Sequence, residues 1–338
     1  MKSLSGVSLF LLIHALLLVP QAAYALPAPS AVQPETSSAP APSDWNSQAA
    51  KHVYGLPEAK PNEKGTLTLS AHDFTFTGKA SRVTIPRQSI IAVSAGNQRV
   101  EIWGMKGRIL RMVIPDGGGA AAALFMHHRV DMLTVEFADT HGGYHGAVFF
   151  LPAKEADGAL ESFSRTPPVP RDAVTAVCHD GVVRPHSVLL QAPVWQQAEV
   201  PAAYRALVYE RLYDRLRQVK GMDHVYRDGE NYAQQGCPQY SMQIAVSGFK
   251  EGNQAKRAML GPVGMFVGTT QMKFDANVTD ASGNAAMHEQ IKATVRGETE
   301  STNVAGDVAK KLSKDYAAML KKAGDKDPLV PASVTRQP

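Results

Sequence analysis

The chain has 338 residues, with 35 lysines and arginines against 31 aspartates and glutamates, which gives a formal net charge of +4. This length suits two ordinary domains. Acidic and basic residues are interspersed in both halves, so the sequence lacks the basic patch that nucleic-acid-binding proteins carry, and we expect no nucleic-acid partner.

The first 25 residues have the pattern of a secretory signal peptide. Lys2 precedes an apolar run from Phe10 to Val19 that is too short to span a bilayer, and Ala23 and Ala25 offer small side chains at the cleavage spacing. We therefore predict a signal peptide over 1–25, a periplasmic or secreted mature protein, and no integral membrane segment after cleavage. Residues 26–63 are rich in Pro, Ala and Ser and are predicted to be disordered.

Short stretches of alternating apolar and polar residues predict a β-rich domain over 64–164. The domain ends in an amphipathic helix, Lys154 to Phe163. A run of strands closed by one helix favours a small barrel or a bent sandwich capped at one end. The predicted strands are 67–69, 74–76, 83–85, 100–103, 109–114, 132–137 and 147–151.

This β-rich segment resembles the PH/GRAM-like domain family. The resemblance is carried by Val83 to Pro86 with Ile90, and by the hairpin of 134–137 and 148–151 before the helix. Family members that bind phosphoinositides use basic residues in their early loops, where this chain has Lys79, Arg82 and Arg87. An exported protein would not meet such lipids, so we do not expect that role here.

Consecutive prolines in 166–171 mark a linker, which we place at 165–185, because proline is unfavourable in helices and central strands. Beyond the linker, the order of strand and helix patterns in residues 186–323 predicts an α+β domain, a mixed sheet with two helices packed on one face. In the first helix, Tyr204, Val208, Leu212 and Leu216 recur every four residues and are predicted to form the packed face. Glu210 is predicted to lie on the solvated face. Residues 324–338 are predicted to be a disordered tail. The predicted strands are 187–194, 224–227, 241–249, 264–280 and 288–296, and the helices begin near 201 and 303.

The order of elements in 186–322 resembles a bacterial family of envelope proteins of unknown function and, more distantly, the N-terminal domain of TolB and CsgG-like domains. This resemblance implies a non-catalytic envelope domain that binds other proteins. It is carried by 188–193, the helix containing Leu212 and Leu216, 244–249, the glycines at 261, 264 and 268, and 278–283.

Cys178 and Cys237 are the two cysteines of the chain. Thiols of exported proteins commonly oxidise, so we predict a disulfide between them, with two separately buried thiols as the alternative. The bond would close a loop of about 60 residues and stabilise the fold by roughly 4 kcal/mol on the chain-entropy model.

His141 and His145 form the best metal candidate, since two imidazoles beside a hairpin turn can approach one ion. A tetrahedral site needs four ligands, however, and the polar character of the turn explains both residues, so we predict no metal and no cofactor. Further candidate ligands are Asp139, His127 and His128, and, in a mixed site, Cys178, His179, His186 and Cys237.

No catalytic residue is predicted. Ser94 and Ser247 lie in strand patterns and lack the turn of a nucleophile elbow, and Gly117 to Gly119 lack the Lys-Ser/Thr of a phosphate loop. The apolar surroundings of 261–268 are too short for a membrane helix. The carboxylates of Glu136 with Asp139, and of Glu298 with Glu300, are expected to be solvated.

These observations favour an exported, non-catalytic envelope protein with a binding, adaptor or assembly role through contacts with another envelope protein. Unprotected strand edges also make a homo-oligomer possible. Two alternatives stay open: a carrier of a small apolar ligand or lipid in the N-terminal domain, and a metal-dependent hydrolase that uses the region of His141 and His145.

Overall fold

Two β-sheets and three helices form the part of the chain that the computed structural model describes, residues 44–101, 127–165, 182–195, 200–232, 236–252, 269–295 and 301–326. The predicted α+β class is confirmed. The first sheet contains β1 (Trp45–Tyr54), β2 (Lys64–Leu69), β3 (Asp73–Gly78), β4 (Arg82–Pro86), β5 (Ile90–Glu101), β6 (His127–Ala138) and β7 (Tyr144–Leu151). The second contains β8 (Val183–Leu190), β9 (Val194–Trp195), β10 (His224–Arg227), β11 (Cys237–Lys250), β12 (Thr270–Asp280) and β13 (Ala285–Val295). The helices are α1 (Glu155–Arg165), α2 (Ala202–Leu216) and α3 (Val304–Lys326), with 3-10 turns at Arg87–Ser89 and Ser301–Asn303.

The first sheet is antiparallel and open, in the order β4-β3-β2-β1-β7-β6-β5. Strands β4 and β5 lie at opposite ends of this order although only residues 87–89 connect them, so the sheet bends until its edges approach each other. No hydrogen-bonded ladder joins β4 to β5 in the described residues, so the barrel, one of the two predicted alternatives, is wrong. The physical reason is the short β4, whose last residue, Pro86, has no N–H to donate.

Strand β1 lies in the middle of this sheet, between β2 and β7, inside the segment that was predicted to be disordered. That prediction is wrong for residues 44–63. The strand buries small or polar side chains, Ser47, Ala50 and His52, together with Val53. A register shift between Ser47 and Ala50 also breaks the two-residue alternation of buried and exposed side chains. Neither the composition of this segment nor its hydrophobic period therefore predicts a strand.

One face of the first sheet packs against α1. Side chains from both ends of the sheet, such as Ile85 on β4 and Ile90 on β5, share a hydrophobic cluster with Ala159 and Phe163 of α1. The helix therefore caps the bent sheet. Arg87 contributes to the same junction: it is 6% exposed and donates hydrogen bonds to the carbonyls of Ser70 and Ser162, so it is a structural residue.

The second sheet is mixed. Strand β8 runs parallel to β10 and β11, while β11, β12 and β13 form an antiparallel meander. Alternate residues of these strands form one hydrophobic cluster with the inward faces of α2 and α3. Both helices therefore pack against the same face of this sheet, where Val304, Val308, Leu312 and Tyr316 of α3 are fully buried.

Helix α2 also packs against the first sheet. Val148 and Phe150 of β7 and Met132 of β6 belong to the same cluster as α2, while their sequence neighbours face α1. Packing on two sides buries nine of the fifteen residues of α2, including Glu210 at 3% exposure. The prediction of one packed and one solvated face is therefore wrong for Glu210.

Several predictions lie wholly or partly outside the described residues. They include the signal peptide 1–25, residues 26–43 of the segment predicted to be disordered, residues 102–103 of one predicted strand, the strand 109–114, residues 166–181 of the linker, the glycine-containing segments 117–119 and 261–268, and the tail from 327. Strand β8 begins at Val183, within the predicted linker, and α3 continues to Lys326, within the predicted tail. In the described part of the chain, no helix combines the length and apolarity that crossing a bilayer requires.

Candidate binding cleft

A cavity of about 610 Å³ opens where the two sheets meet helix α2. Four segments surround it: the loop after β1, the turn between β6 and β7, the C-terminal half of α2, and the end of β10. Its volume lies in the range of pockets that hold small ligands or short chain segments. We call it the cleft. Its walls include His52, Tyr54, Leu56, Pro57, Glu58, Ala59, Pro61, Asp139, His141, His145, Glu210, Tyr213, Asp214, Arg217, Arg227 and Glu230.

Direct backbone contacts fix one side of the cleft. The Tyr144 N–H donates to the Asp228 carbonyl at 2.8 Å, and the Asn231 N–H donates to the His141 carbonyl at 3.1 Å. Gly142 and Gly229 lie between these bonds with φ of +87° and +75°. A Cβ on Gly142 would come within 2.7 Å of the Gly229 carbonyl oxygen, so this close approach of the two turns requires glycine.

A buried ion pair joins α2 to β10 below the cleft. Arg227 donates from Nη2 to Glu210 Oε2 at 2.8 Å and from Nη1 to Oε1 at 2.9 Å, and the Gly146 N–H donates to Oε1 at 3.0 Å. Arg227 Nη1 also donates to the Tyr144 carbonyl at 2.8 Å. Burial opposes the charge on Arg227, but the Glu210 carboxylate outweighs it and raises the pKa of the guanidinium. Arg227 therefore stays charged.

Asp139 and His145 form a second polar pair, in the turn between β6 and β7. Asp139 Oδ1 accepts the backbone N–H groups of His141 and Gly143, both at 2.8 Å, and Oδ2 lies 3.3 Å from His145 Nε2. Burial opposes ionisation of Asp139, but the hydrogen bonds from His145 and the two N–H groups outweigh it and lower the pKa of this carboxyl. Because a carboxylate can only accept, His145 Nε2 is the donor in this contact.

His145 Nδ1 is left without a hydrogen-bond partner among the described residues. The side chain is only 8% exposed, and Nδ1 lies 3.6 Å from Glu210 Oε1.

The loop after β1 forms the opposite wall and is held by His52 and Tyr54. His52 Nδ1 donates to the Lys60 carbonyl at 3.0 Å, while Nε2 accepts the Leu56 N–H at 3.1 Å. Burial lowers the pKa of His52, which agrees with a neutral ring in this tautomer. Tyr54 donates its hydroxyl to Asp214 Oδ2 at 2.6 Å, and burial and this carboxylate raise the pKa of Tyr54.

Carboxylates outnumber guanidinium groups in the cleft, five to two. Arg227 is paired with Glu210. The four remaining carboxylates, on Glu58, Asp139, Asp214 and Glu230, form no ion pair with a lysine or arginine of the described residues. The cleft is therefore locally acidic although the whole chain has a net charge of +4.

The two histidines of the predicted metal candidate both reach the cleft but differ in environment. His145 is buried, whereas His141 is exposed and contributes mainly backbone bonds. Within the described residues, no three His, Cys, Asp or Glu side chains are placed to hold a metal ion. His179 lies outside these residues, and His186 is exposed in the second sheet.

Glu136 is not a solvated carboxylate, contrary to the prediction. Its side chain is 13% exposed, and Oε1 lies 3.4 Å from Arg205 Nη2. Asp139, 29% exposed, is likewise engaged by His145. The cause is α2, which covers the face of β6 that the local pattern leaves for solvent. Glu298 and Glu300 lie outside the described residues.

The other predicted site residues lie away from the cleft. Ser94 is in β5, paired with Thr134, and Ser247 is in β11 at a register shift. Cys237 is buried at the start of β11, 7% exposed, but Cys178 lies outside the described residues, so the disulfide stays a prediction.

The sequence analysis gave no site role to several residues of the cleft, among them Tyr54, Glu210, Asp214 and Arg227. Tyr54 lay in the segment assigned to disorder, and the pairing of Glu210 with Arg227 joins two elements with no local signal between them. Only the position of Glu210 in a helix of apolar residues could have suggested burial.

No protein-family model matches the chain, and a comparison with curated proteins finds no match either. Two solved structures show a distant likeness. Protein XCC0632 from Xanthomonas campestris, of family DUF330, is 10% identical with a TM-score of 0.28; the match covers 43% of this chain and 95% of that one. A dodecamer of a PelC variant from Paraburkholderia phytofirmans is 15% identical with a TM-score of 0.26, over 39% and 92% of the two chains. At these TM-scores the likeness carries no argument about function, and the resemblances to PH/GRAM-like and TolB-like domains stay predictions.

Proposed function

We propose that the protein is an exported, non-catalytic binding protein whose cleft holds a segment of an envelope partner, in an adaptor or assembly role. The observation that carries this proposal is the preformed cleft at the junction of the two sheets. Backbone hydrogen bonds between the two turns and the ion pair of Glu210 with Arg227 fix its walls without any ligand. Preformed sites bind with little ordering cost.

The ionisable groups of the cleft make their contacts within the protein, and this supports binding over catalysis. Glu210 and Arg227 neutralise each other, Asp139 is engaged by three donors, and the ring of His145 stacks on Phe137 with its centroid 5.1 Å away. A general acid or base must reach a substrate proton. These groups instead contact the protein itself.

Site-specific crosslinking in the native host tests this proposal. A photoreactive residue at Glu58 or Arg217, both exposed at the rim of the cleft, is expected to give one defined adduct with an envelope protein. The same residue at Lys292, exposed on β13 and not in the cleft wall, is the control. Adducts that form equally at Lys292, or no adduct from the rim, would contradict a binding role for the cleft.

Metal analysis of the purified protein tests the hydrolase alternative, which no contact in the described residues favours. Stoichiometric zinc that disappears in the double variant His141→Ala, His145→Ala would overturn the proposal. Native mass spectrometry tests the carrier alternative: a co-purifying lipid would support a carrier, although the interior beside α1 is filled by side chains such as Phe74 and Phe149.

A further inference from the structure

We infer that the loop after β1, residues 55–62, opens when His52 takes up a proton, so that the cleft has an acid-sensitive wall. The opening itself does not depend on the proposed function, whereas its effect on a bound partner rests on that function. The starting observation is the position of the imidazole. It is 1% exposed, lies close to the start of the loop, and is bonded to the loop at both of its nitrogens.

The two partners of the ring fix its protonation state in the closed loop. The Leu56 N–H can only donate, so His52 Nε2, which it approaches at 3.1 Å, has a free lone pair. The Lys60 carbonyl can only accept, so His52 Nδ1, 3.0 Å away, carries the proton. A proton added to Nε2 would set two donors against each other and place a charge in a buried position. The closed loop therefore requires the neutral ring.

The strands packed around the ring offer it aromatic surface. Phe76 of β3 and Phe149 of β7 have their ring centroids 5.9 and 5.7 Å from that of His52. Lys51, the neighbouring cation on β1, lies over Phe150 on the opposite face of the sheet. The strands therefore provide no compensation for a charge on the imidazole.

Two carboxylates favour the charged form of His52, Glu63 at the end of the loop and Glu210 of α2, but burial outweighs them and lowers the pKa of His52. Both carboxylates have other partners: Glu63 accepts the Ala80 N–H at 2.8 Å, and Glu210 accepts the Arg227 guanidinium at 2.8 Å. The hydrogen bond from Ala80 also lowers the pKa of Glu63, so this carboxyl titrates at lower pH than an exposed histidine does. Acid therefore acts on the loop through the imidazole.

The loop is held closed against backbone strain. Glu58 and Asn62 have positive φ, 62° and 66°, which costs free energy for residues other than glycine. The Asn62 N–H donates to the His52 carbonyl at 2.8 Å and fixes the far end of the loop. The ring bonds of His52 and the Leu56 side chain, 4% exposed in the cluster beside α1, hold its middle. Protonation removes the bond to the Leu56 N–H, and the strain then favours opening.

The same loop is one wall of the cleft, to which it contributes Leu56, Pro57, Glu58 and Ala59. Opening moves these residues away from the wall formed by α2. A partner segment that contacts both walls then loses part of its contact surface. We therefore expect the cleft to release a bound segment on acidification.

Hydrogen exchange followed by mass spectrometry at about pH 7.5 and about pH 5 tests the opening, with an unfolded peptide standard to correct for the intrinsic effect of pH on exchange. In the open loop the ring binds a proton with an ordinary pKa of about 6.5, so the open fraction should rise by up to about thirtyfold between these conditions. Peptides that contain residues 55–62 should lose protection accordingly, and peptides from β7 should lose far less.

Variants of three histidines assign the effect. His52→Gln keeps a donor and an acceptor but does not ionise, so its loop should show little response to pH. His224→Gln and His288→Gln are the controls, since burial also lowers the pKa of His224 and His288 is exposed on β13; both should leave the response of the loop intact. The comparison of the loop with β7 in the wild type tests the inference even if His52→Gln does not fold. Equal protection of the loop at both pH values, a loss shared equally by β7, or a loop that still responds in His52→Gln would overturn it.

The rim crosslink from position 217, at the end of α2, separates this inference from the proposed function. The yield of its adduct should fall at about pH 5 in the wild type. The ratio of the yields at the two pH values should approach one in His52→Gln, whatever the yield of that variant at neutral pH. An adduct whose yield does not respond to pH in the wild type would reject acid release and leave the binding function standing. No adduct at either pH would contradict the binding function, and hydrogen exchange alone would then decide on the opening of the loop.

Discussion

Replacing Arg227 with methionine tests whether the buried ion pair holds the two sheets together around α2. Methionine keeps much of the apolar stem but leaves the Glu210 carboxylate, 3% exposed, with the Gly146 N–H as its remaining donor. The Tyr144 carbonyl also loses its guanidinium donor. Removing one partner of a buried ion pair costs about 3–5 kcal/mol, so we expect a loss of this size in the free energy of unfolding.

A double-mutant cycle separates the charge effect from the loss of packing. Glu210→Gln alone leaves the Arg227 charge buried and unpaired, whereas Glu210→Gln with Arg227→Met removes both charges and keeps an acceptor for the Gly146 N–H. The double variant should therefore be more stable than Arg227→Met alone, with a residual cost of about 1–3 kcal/mol for the unpaired Tyr144 carbonyl.

Urea denaturation followed by circular dichroism measures these differences, and hydrogen exchange of the Tyr144 and Asn231 amides reports on the junction itself. Arg165→Met is the matched control, because Arg165 pairs with Glu161 at 2.9 Å with both side chains more than 60% exposed, and its loss should cost little. If Arg227→Met costs no more than Arg165→Met, or if the double variant loses the sum of the two single effects, the reasoning about this pair is refuted.

Three further predictions concern the cleft walls and the cysteines. Gly142→Ala should destabilise the protein by about 1–3 kcal/mol more than Gly283→Ala, measured by urea denaturation, because both positions have positive φ but only Gly142 faces a carbonyl, that of Gly229; equal losses would show that the turns do not need this close approach. His52 has a pKa below the ordinary 6.5 because it is buried, so the unfolded chain takes up a proton first and stability is lost as pH falls below about 6.5. His52→Gln should reduce the dependence of the melting temperature on pH between about 8 and 5, where His224, whose pKa burial also lowers, contributes too; a wild type with no slope there would contradict a neutral buried ring. Cys178→Ser and reduction of the wild type should each lower stability by up to about 4 kcal/mol and should not add to each other, whereas two free thiols in the native protein, counted with a thiol reagent, would reject the disulfide.

The sequence allowed the class of fold and most elements of the second sheet to be predicted. Residues 224–227 match β10 residue for residue, and Val304, Val308, Leu312 and Tyr316, which recur every four residues, lie on the buried face of α3. These elements have a regular hydrophobic period and one packed face, which is the signal that a single sequence carries best.

The errors arose where packing between distant segments decides the structure. Strand β1 is central but buries Ser47, Ala50 and His52, so its composition suggested disorder. Glu210 and Glu136 occupy positions that are solvated in an isolated helix or strand and are covered here because α2 lies between two sheets. No local pattern reports such contacts, and the cleft, built from four separate segments, could not be predicted for the same reason.

The two-sided packing of α2 has a consequence for how the chain is made. Strand β1 pairs with β7, about a hundred residues later, and the outer surface of β7 is covered by α2, residues 202–216. A nascent or truncated chain that stops near residue 165 would expose Met132, Val148 and Phe150 to water. Such an exposed apolar patch promotes aggregation. We therefore expect the first sheet and α2 to fold together. We also expect soluble expression only from fragments that begin before Trp45 and extend past α2.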